Sequence, residues 1–131
     1  MEERRRFVRL DTRLEVDYQI APSGDAQVVV TKDISAGGIC FFADRVLKPG
    51  TRLTMRLMLP GRAQPIQCTA EAVWSDQYEL IGKGRRQRSV EVGVRFLEIS
   101  PADQAAIMQH VILGFQSPPA VTRGQPPSAL E

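Results

Sequence analysis

Histidine is almost missing from this 131-residue chain. The single one, His110, has no metal-ligand or nucleophile partner at usable spacing, so a surface or packing role is expected rather than acid–base chemistry. Cysteine is nearly as scarce. Cys40 and Cys68 lack metal or redox spacing, and both sit in apolar stretches, which predicts small buried thiols in a reducing compartment. No apolar run approaches the roughly 18 residues that a membrane helix requires, and the charged N-terminus lacks a signal-peptide core. A soluble, cytoplasmic chain without membrane insertion is therefore expected. Ser35 is not set in the glycine-flanked elbow of a hydrolase, and no metal site is visible. Together these absences make an enzyme the weakest reading. There are no internal repeats.

Aromatics make up only 6% of the residues, and few fall on exposed strand faces, which weighs against a single-strand RNA binder that stacks bases. A surplus of charge is missing too: 17 Lys and Arg face 15 Asp and Glu. A protein that coats DNA needs more. What is present is arginine, at 14 of the 17 cations, the better residue for bidentate phosphate and guanine recognition. Four of these, Arg4, Arg5, Arg6 and Arg9, crowd into six positions of "EERRRFVRL". Such a cluster is costly to hold together unless an anion sits among it.

Downstream, the chain alternates. Leu14, Val16, Tyr18 and Ile20 fall on one face of a strand over 13–20, and "APSGD" then supplies a turn. A β-branched strand, "VVVTKDI", leads into "SAGG", whose paired glycines Gly37 and Gly38 permit a turn or bulge and close backbone approach. "ICFFA" is a short strand, and "LKPGT" a turn with Pro before Gly. Leu53, Met55, Leu57 and Leu59 alternate next. After "PGRAQP", Cys68, Ala70, Ala72 and Trp74 share a face. A polar, basic interval, "GKGRRQRS" (82–89), precedes a last strand with Val90, Val92, Val94 and Phe96 on one side. Short strands joined by turns indicate an antiparallel barrel or sandwich. The pattern then turns helical at 100–116, with Ser100 as N-cap and Pro101 at the first helical position; Ile107, Val111 and Leu113 or Phe115 form its inward seam. Residues 117–131, with four prolines, read as a disordered tail.

"DISAGG" gives the arginines a possible target. Asp33 and Ser35 are two apart and project from one face of an extended backbone, beside Gly37 and Gly38, which remove side chains. An ionised carboxylate accepts hydrogen bonds only, and guanine offers donors at N1 and N2. Arginine matches guanine O6 and N7, or clamps a phosphate. The two motifs together describe a site for a guanine carrying phosphate.

Those residues carry a resemblance. R-x-x-x-R (Arg5, Arg9), a strand, then D-x-S-x-x-G (Asp33, Ser35, Gly38) resembles the PilZ domain, the bacterial receptor module for cyclic di-GMP. The likeness covers residues 3–115 and extends to "PGTRLTMRLMLPG", "AEAVW" and "VGVRFLEISPAD". It implies a mainly β fold, a six-stranded antiparallel barrel (13–99) with one C-terminal helix (100–116) and a flexible basic arm (1–12). It also implies a stand-alone, non-enzymatic receptor without cofactor, which relays cyclic di-GMP occupancy to an unidentified downstream protein in control of motility or biofilm. Arg5, Arg9, Asp33, Ser35 and Gly38 are the implied ligand contacts. Arg4 resembles members that bind a self-stacked pair of nucleotides, so two molecules per site are expected. Arg6, Gly37 and Trp74 are secondary candidates. Trp74 reads first as a core or rim aromatic, and Phe7 as a barrel-edge anchor.

Two other readings compete. A small RNA-binding barrel would show steep salt dependence spread over many cations. A protein adapter would bind its partner alike with or without nucleotide. The basic cluster Lys83, Arg85, Arg86 and Arg88 reads as a solvated loop, or as a dock for an acidic partner.

Overall fold

The computed structural model describes residues 8–21, 24–82 and 84–116. It is a closed six-stranded antiparallel barrel with one helix packed against it. The strands are β1 (Leu10–Asp11), β2 (Glu15–Ile20), β3 (Ala26–Ser35), β4 (Gly38–Ala43), β5 (Arg52–Leu57), β6 (Ile66–Gly82) and β7 (Arg85–Glu98). The ring runs β3-β2-β5-β6-β7-β4 and closes through β3–β4 pairing. The helix, α1, spans Pro101–Gln116.

The alternation read from the sequence lines the interior. Val16, Tyr18, Phe41, Met55, Leu57, Ile66 and Val92 are all fully buried, and the Tyr18 and Phe41 rings pack 5.1 Å apart. Loop 44–51 covers one end. Leu47 is buried there, held by the Ser75 hydroxyl, which accepts from its N–H and donates to its carbonyl. Helix α1 contributes Ile107 and Val111 to the core, and the Ser100 Oγ caps it by accepting from the Asp103 N–H at 3.1 Å.

Four features differ from the sequence reading. First, β1 and β2 are one strand interrupted at 12–14, lying along the same edge of β3. The buried Thr31 hydroxyl bridges the gap, accepting from Leu14 N–H at 2.9 Å and donating to the Thr12 carbonyl at 2.6 Å. The chain is thus anchored to the barrel from Leu10, which packs on the core within the stretch expected to be a flexible arm. Second, strand reaches into the basic interval from both sides, to Gly82 and from Arg85 onward: β6 and β7 pair without a break from Gln77↔Val90 to Gly82↔Arg85. Charged residues hid it, because a ribbon open to water on both faces shows no apolar alternation. Third, a bulge at Val73 shifts the register, so Trp74 leaves the face of Cys68, Ala70 and Ala72 and stands on the outer wall. Fourth, the helix buries Ile107 and Val111, with Ala106 packed beside them. Leu113 and Phe115 are exposed, and Gly114 occupies the inward position where Leu10 packs.

Candidate functional site

Strand pairing assembles the site. The β1–β3 register is Leu10↔Ile34 and Asp11↔Asp33, so Arg9, one step earlier, lies alongside Ser35. Its guanidinium reaches diagonally and donates from Nη1 to Asp33 Oδ1 at 2.6 Å. The side chains keep 29% and 14% of their surface, so the pair is half-buried and open on one side. Arg9 Nε is buried and has no hydrogen-bond partner among the described residues.

A bulge at Lys32 sets the phase of β3: Ile34 points into the core, and Asp33 and Ser35 point out. They do share one face, as their spacing predicts. Ser35 and Gly38 face each other across a two-residue turn, Ala36–Gly37. The Ser35 hydroxyl accepts from the Gly37 N–H at 3.1 Å and is itself buried. Neighbouring elements lock this turn. Phe96 N–H donates to the Gly37 carbonyl at 3.0 Å, and the Gln104 side chain donates to the Ala36 carbonyl at 2.8 Å.

Gly38 has a structural task distinct from leaving space for a ligand. A Cβ there would lie 2.1 Å from the Val94 carbonyl oxygen, so the glycine lets β4 and β7 approach.

The outer wall extends the site sideways. Register carries one row across four strands, Asp33↔Cys40↔Gly93↔Trp74. Cys40 is buried within this row, and its thiol is pushed up to about 11, first by burial and then by Asp33. Trp74, about one-third exposed, lies flat on Gly93, where a Cβ would meet the indole at 2.4 Å. The next row is Ser35↔Gly38↔Arg95↔Glu71, and Arg95 donates twice to Glu71 Oε1, at 2.6 and 3.0 Å. An open groove of about 950 Å³ runs beside the turn, lined in part by Gly37, Arg95, Glu98 and Gln104.

Of the residues expected at the site, Arg9, Asp33, Ser35, Gly37 and Gly38 are thus together, with Trp74 on the same wall. Arg4, Arg5 and Arg6, with Phe7, lie outside the described residues. Sequence reasoning missed Arg95 and Gln104 beside the turn. Arg95 was visible as the outward residue in "VGVRF"; the reach of Gln104 to a turn 68 positions away left no local signal. Among the described residues, no group of three or more His, Cys, Asp or Glu is placed to hold a metal ion. No helix among them is long and apolar enough to cross a membrane.

The arrangement is an acceptor carboxylate, an arginine fork and a fixed turn on one surface. It suits a ligand that combines hydrogen-bond donors with negative charge.

Comparison with known proteins agrees with the geometry. A family model described as the PilZ domain matches residues 3–113. No curated protein matches the chain. Among solved structures, the Bacillus subtilis inhibitor of motility MotI (DgrA) is 24% identical, with a TM-score of 0.66, over 88% of this chain and 53% of that one. The PilZ domain of Escherichia coli YcgR, solved with c-di-GMP, is 17% identical, with a TM-score of 0.69, over 87% and 93%. K. pneumonia MrkH in complex with c-di-GMP is 19% identical, with a TM-score of 0.65, over 88% and 54%. At these identities the likeness is one of fold. The chain spans about half the length of MotI and MrkH.

Proposed function

This chain belongs to the PilZ domain family, and we propose that it is a cyclic di-GMP receptor that clamps the nucleotide between its R-x-x-x-R segment and the outer wall of β3. The observation that carries this reading is the Arg9–Asp33 contact, which joins the two motifs across 24 residues of sequence. Asp33 gives one carboxylate oxygen to Arg9 and keeps the other for guanine N1–H and N2–H. Arg9 spends one N–H on Asp33 and keeps the rest of its fork for a phosphate; Arg5 takes the second phosphate. Ser35 adds a hydroxyl at the rim. Gly38 acts indirectly, by letting the turn close.

Trp74 and the groove beside Gly37 supply a flat ring and room for the bases. Arg4 accommodates a second, stacked nucleotide. Arg6 and Gly37 border the ligand. The locked turn is one jaw, and the R-x-x-x-R segment is the jaw that grips the ligand from the other side. The occupied clamp presents a new surface to a downstream protein, and the chain is a receptor rather than an enzyme.

Calorimetric titration with cyclic di-GMP tests the proposal. Saturable heat is expected at two nucleotides per chain, abolished in Arg5→Ala, Arg9→Ala and Asp33→Ala. A folded sample that gives no heat at micromolar concentration would overturn it. Heat that persists in all three variants would place the ligand elsewhere.

A further inference from the structure

Strands β6 and β7 outrun the barrel. The last β4–β7 pair is Ala43↔Val90, and β5 pairs with β6 no further than Glu71. Beyond lie five pairs, Tyr78↔Ser89 to Gly82↔Arg85, with no third strand on either side among the described residues. At the usual rise the ribbon projects about 15 Å. A bare two-stranded ribbon is only marginally stable and exposes unpaired N–H and C=O groups along both edges.

Its root is fixed and its outer part is offered. Tyr78 donates to Glu91 Oε2 at 2.7 Å, and Lys32 donates to Glu91 Oε1 at 3.0 Å, which ties the ribbon base to β3. Past that point Ile81 is 77% exposed. Register positions 85, 86 and 88 carry arginine, and Glu79 is the one acid between 79 and 89. Guarding an edge against aggregation calls for charge but not for a bare isoleucine.

We infer that the β7 edge of this ribbon, residues 85–89, docks an extended acidic segment of a partner protein, which adds as a strand beyond the end of β4. Main-chain pairing supplies the affinity, as in strand-addition recognition. Carboxylates at alternate positions of the incoming strand come opposite Arg86 and Arg88, and Ile81 stands across the ribbon from Arg86 as an apolar anchor. A second copy of this chain is disfavoured, because ribbon against ribbon sets arginine on arginine. A nucleic acid backbone has no use for the free ladder edge. The inference rests on the ribbon alone and stands apart from the nucleotide reading.

The test uses the whole chain and a capped hexapeptide, Glu-Thr-Glu-Val-Glu-Thr, with Lys-Thr-Lys-Val-Lys-Thr and a fifteen-residue oligothymidylate as comparisons. Amide chemical shifts are followed during each titration. Expected are shifts confined to residues 78–89 with the acidic peptide, none with the basic one, and at least tenfold weaker binding in the double variant R86E/R88E. Ile81→Ser weakens binding by a smaller factor and leaves the arginines in place. No shift at millimolar acidic peptide, shifts elsewhere, or unchanged binding in R86E/R88E would overturn the inference. Tighter binding of oligothymidylate, lost in R86E/R88E, would overturn it in favour of nucleic acid.

Discussion

Arg9 donates to Asp33 at 2.6 Å, and β1 fixes this contact by pairing with the strand that carries Asp33. The two motifs therefore touch through this pair. Because the pair is only half-buried, its coupling should be about 1 kcal/mol or less. A double-mutant cycle over Arg9→Ala and Asp33→Ala, read by chemical denaturation, checks this. Each single variant should lose cyclic di-GMP binding and little stability; a fall of several kcal/mol would make the pair a structural pillar.

Gly38 and Ser35 should separate in the same assays. Gly38→Ala drives a Cβ to 2.1 Å from the Val94 carbonyl oxygen, against backbone that cannot step aside. A loss of about 1–3 kcal/mol or more is expected, so that binding fails with the fold. Ser35→Ala removes the acceptor for the Gly37 N–H, a bond worth roughly 1 kcal/mol, and should weaken affinity in a folded protein.

Acid and base should loosen the ribbon root at opposite ends of the pH scale. The Glu91 carboxyl is held below its ordinary 4.5, first by the Tyr78 hydroxyl and then by Lys32, while burial opposes both. The Lys32 ammonium is held above its ordinary 10.5, chiefly by its hydrogen bond to Glu91. A lowered carboxyl pKa stabilises the fold above the ordinary value, and that stability goes as pH falls through the lowered one. A raised ammonium pKa stabilises below its ordinary value, and that stability goes as pH rises through the raised one. The Tm difference between wild type and Glu91→Gln should thus be flat from about pH 5 to about pH 10 and shrink on either side. A difference that keeps growing below pH 3 would refute the assignment.

Trp74 is the only tryptophan, and it lies on Gly93 in the same row as Asp33. Its fluorescence should change when cyclic di-GMP binds. Gly93→Ala, whose Cβ would sit 2.4 Å from the indole, should displace the ring and red-shift the emission without ligand. An unchanged spectrum in both experiments would remove Trp74 from the site.

Much of the barrel was legible because its strands have one wet face: Val16, Met55 and Val92 alternate with polar residues and are buried as read. Asp33 and Ser35 were legible as a shared face for the same reason, since a period of two survives the bulge just before them. What escaped lies in register. No local pattern reveals that Val73 is an extra residue, and that one insertion moves Trp74 from the inside to the outside. The β6–β7 ribbon escaped because strands wet on both faces look like loop. Gly38 was legible as a place of close backbone approach, but not which backbone approaches it: that is β7 at Val94, a contact between positions distant in sequence.

Helix α1 holds the Ala36 carbonyl through Gln104 near its start, and near its end it leaves a notch at Gly114 for Leu10. One rod thereby braces the glycine turn and the root of the arginine segment alike. Anyone transplanting the two motifs onto a different barrel would have to carry this rod with them, because a graft of the strands alone leaves both halves of the cradle without their common support.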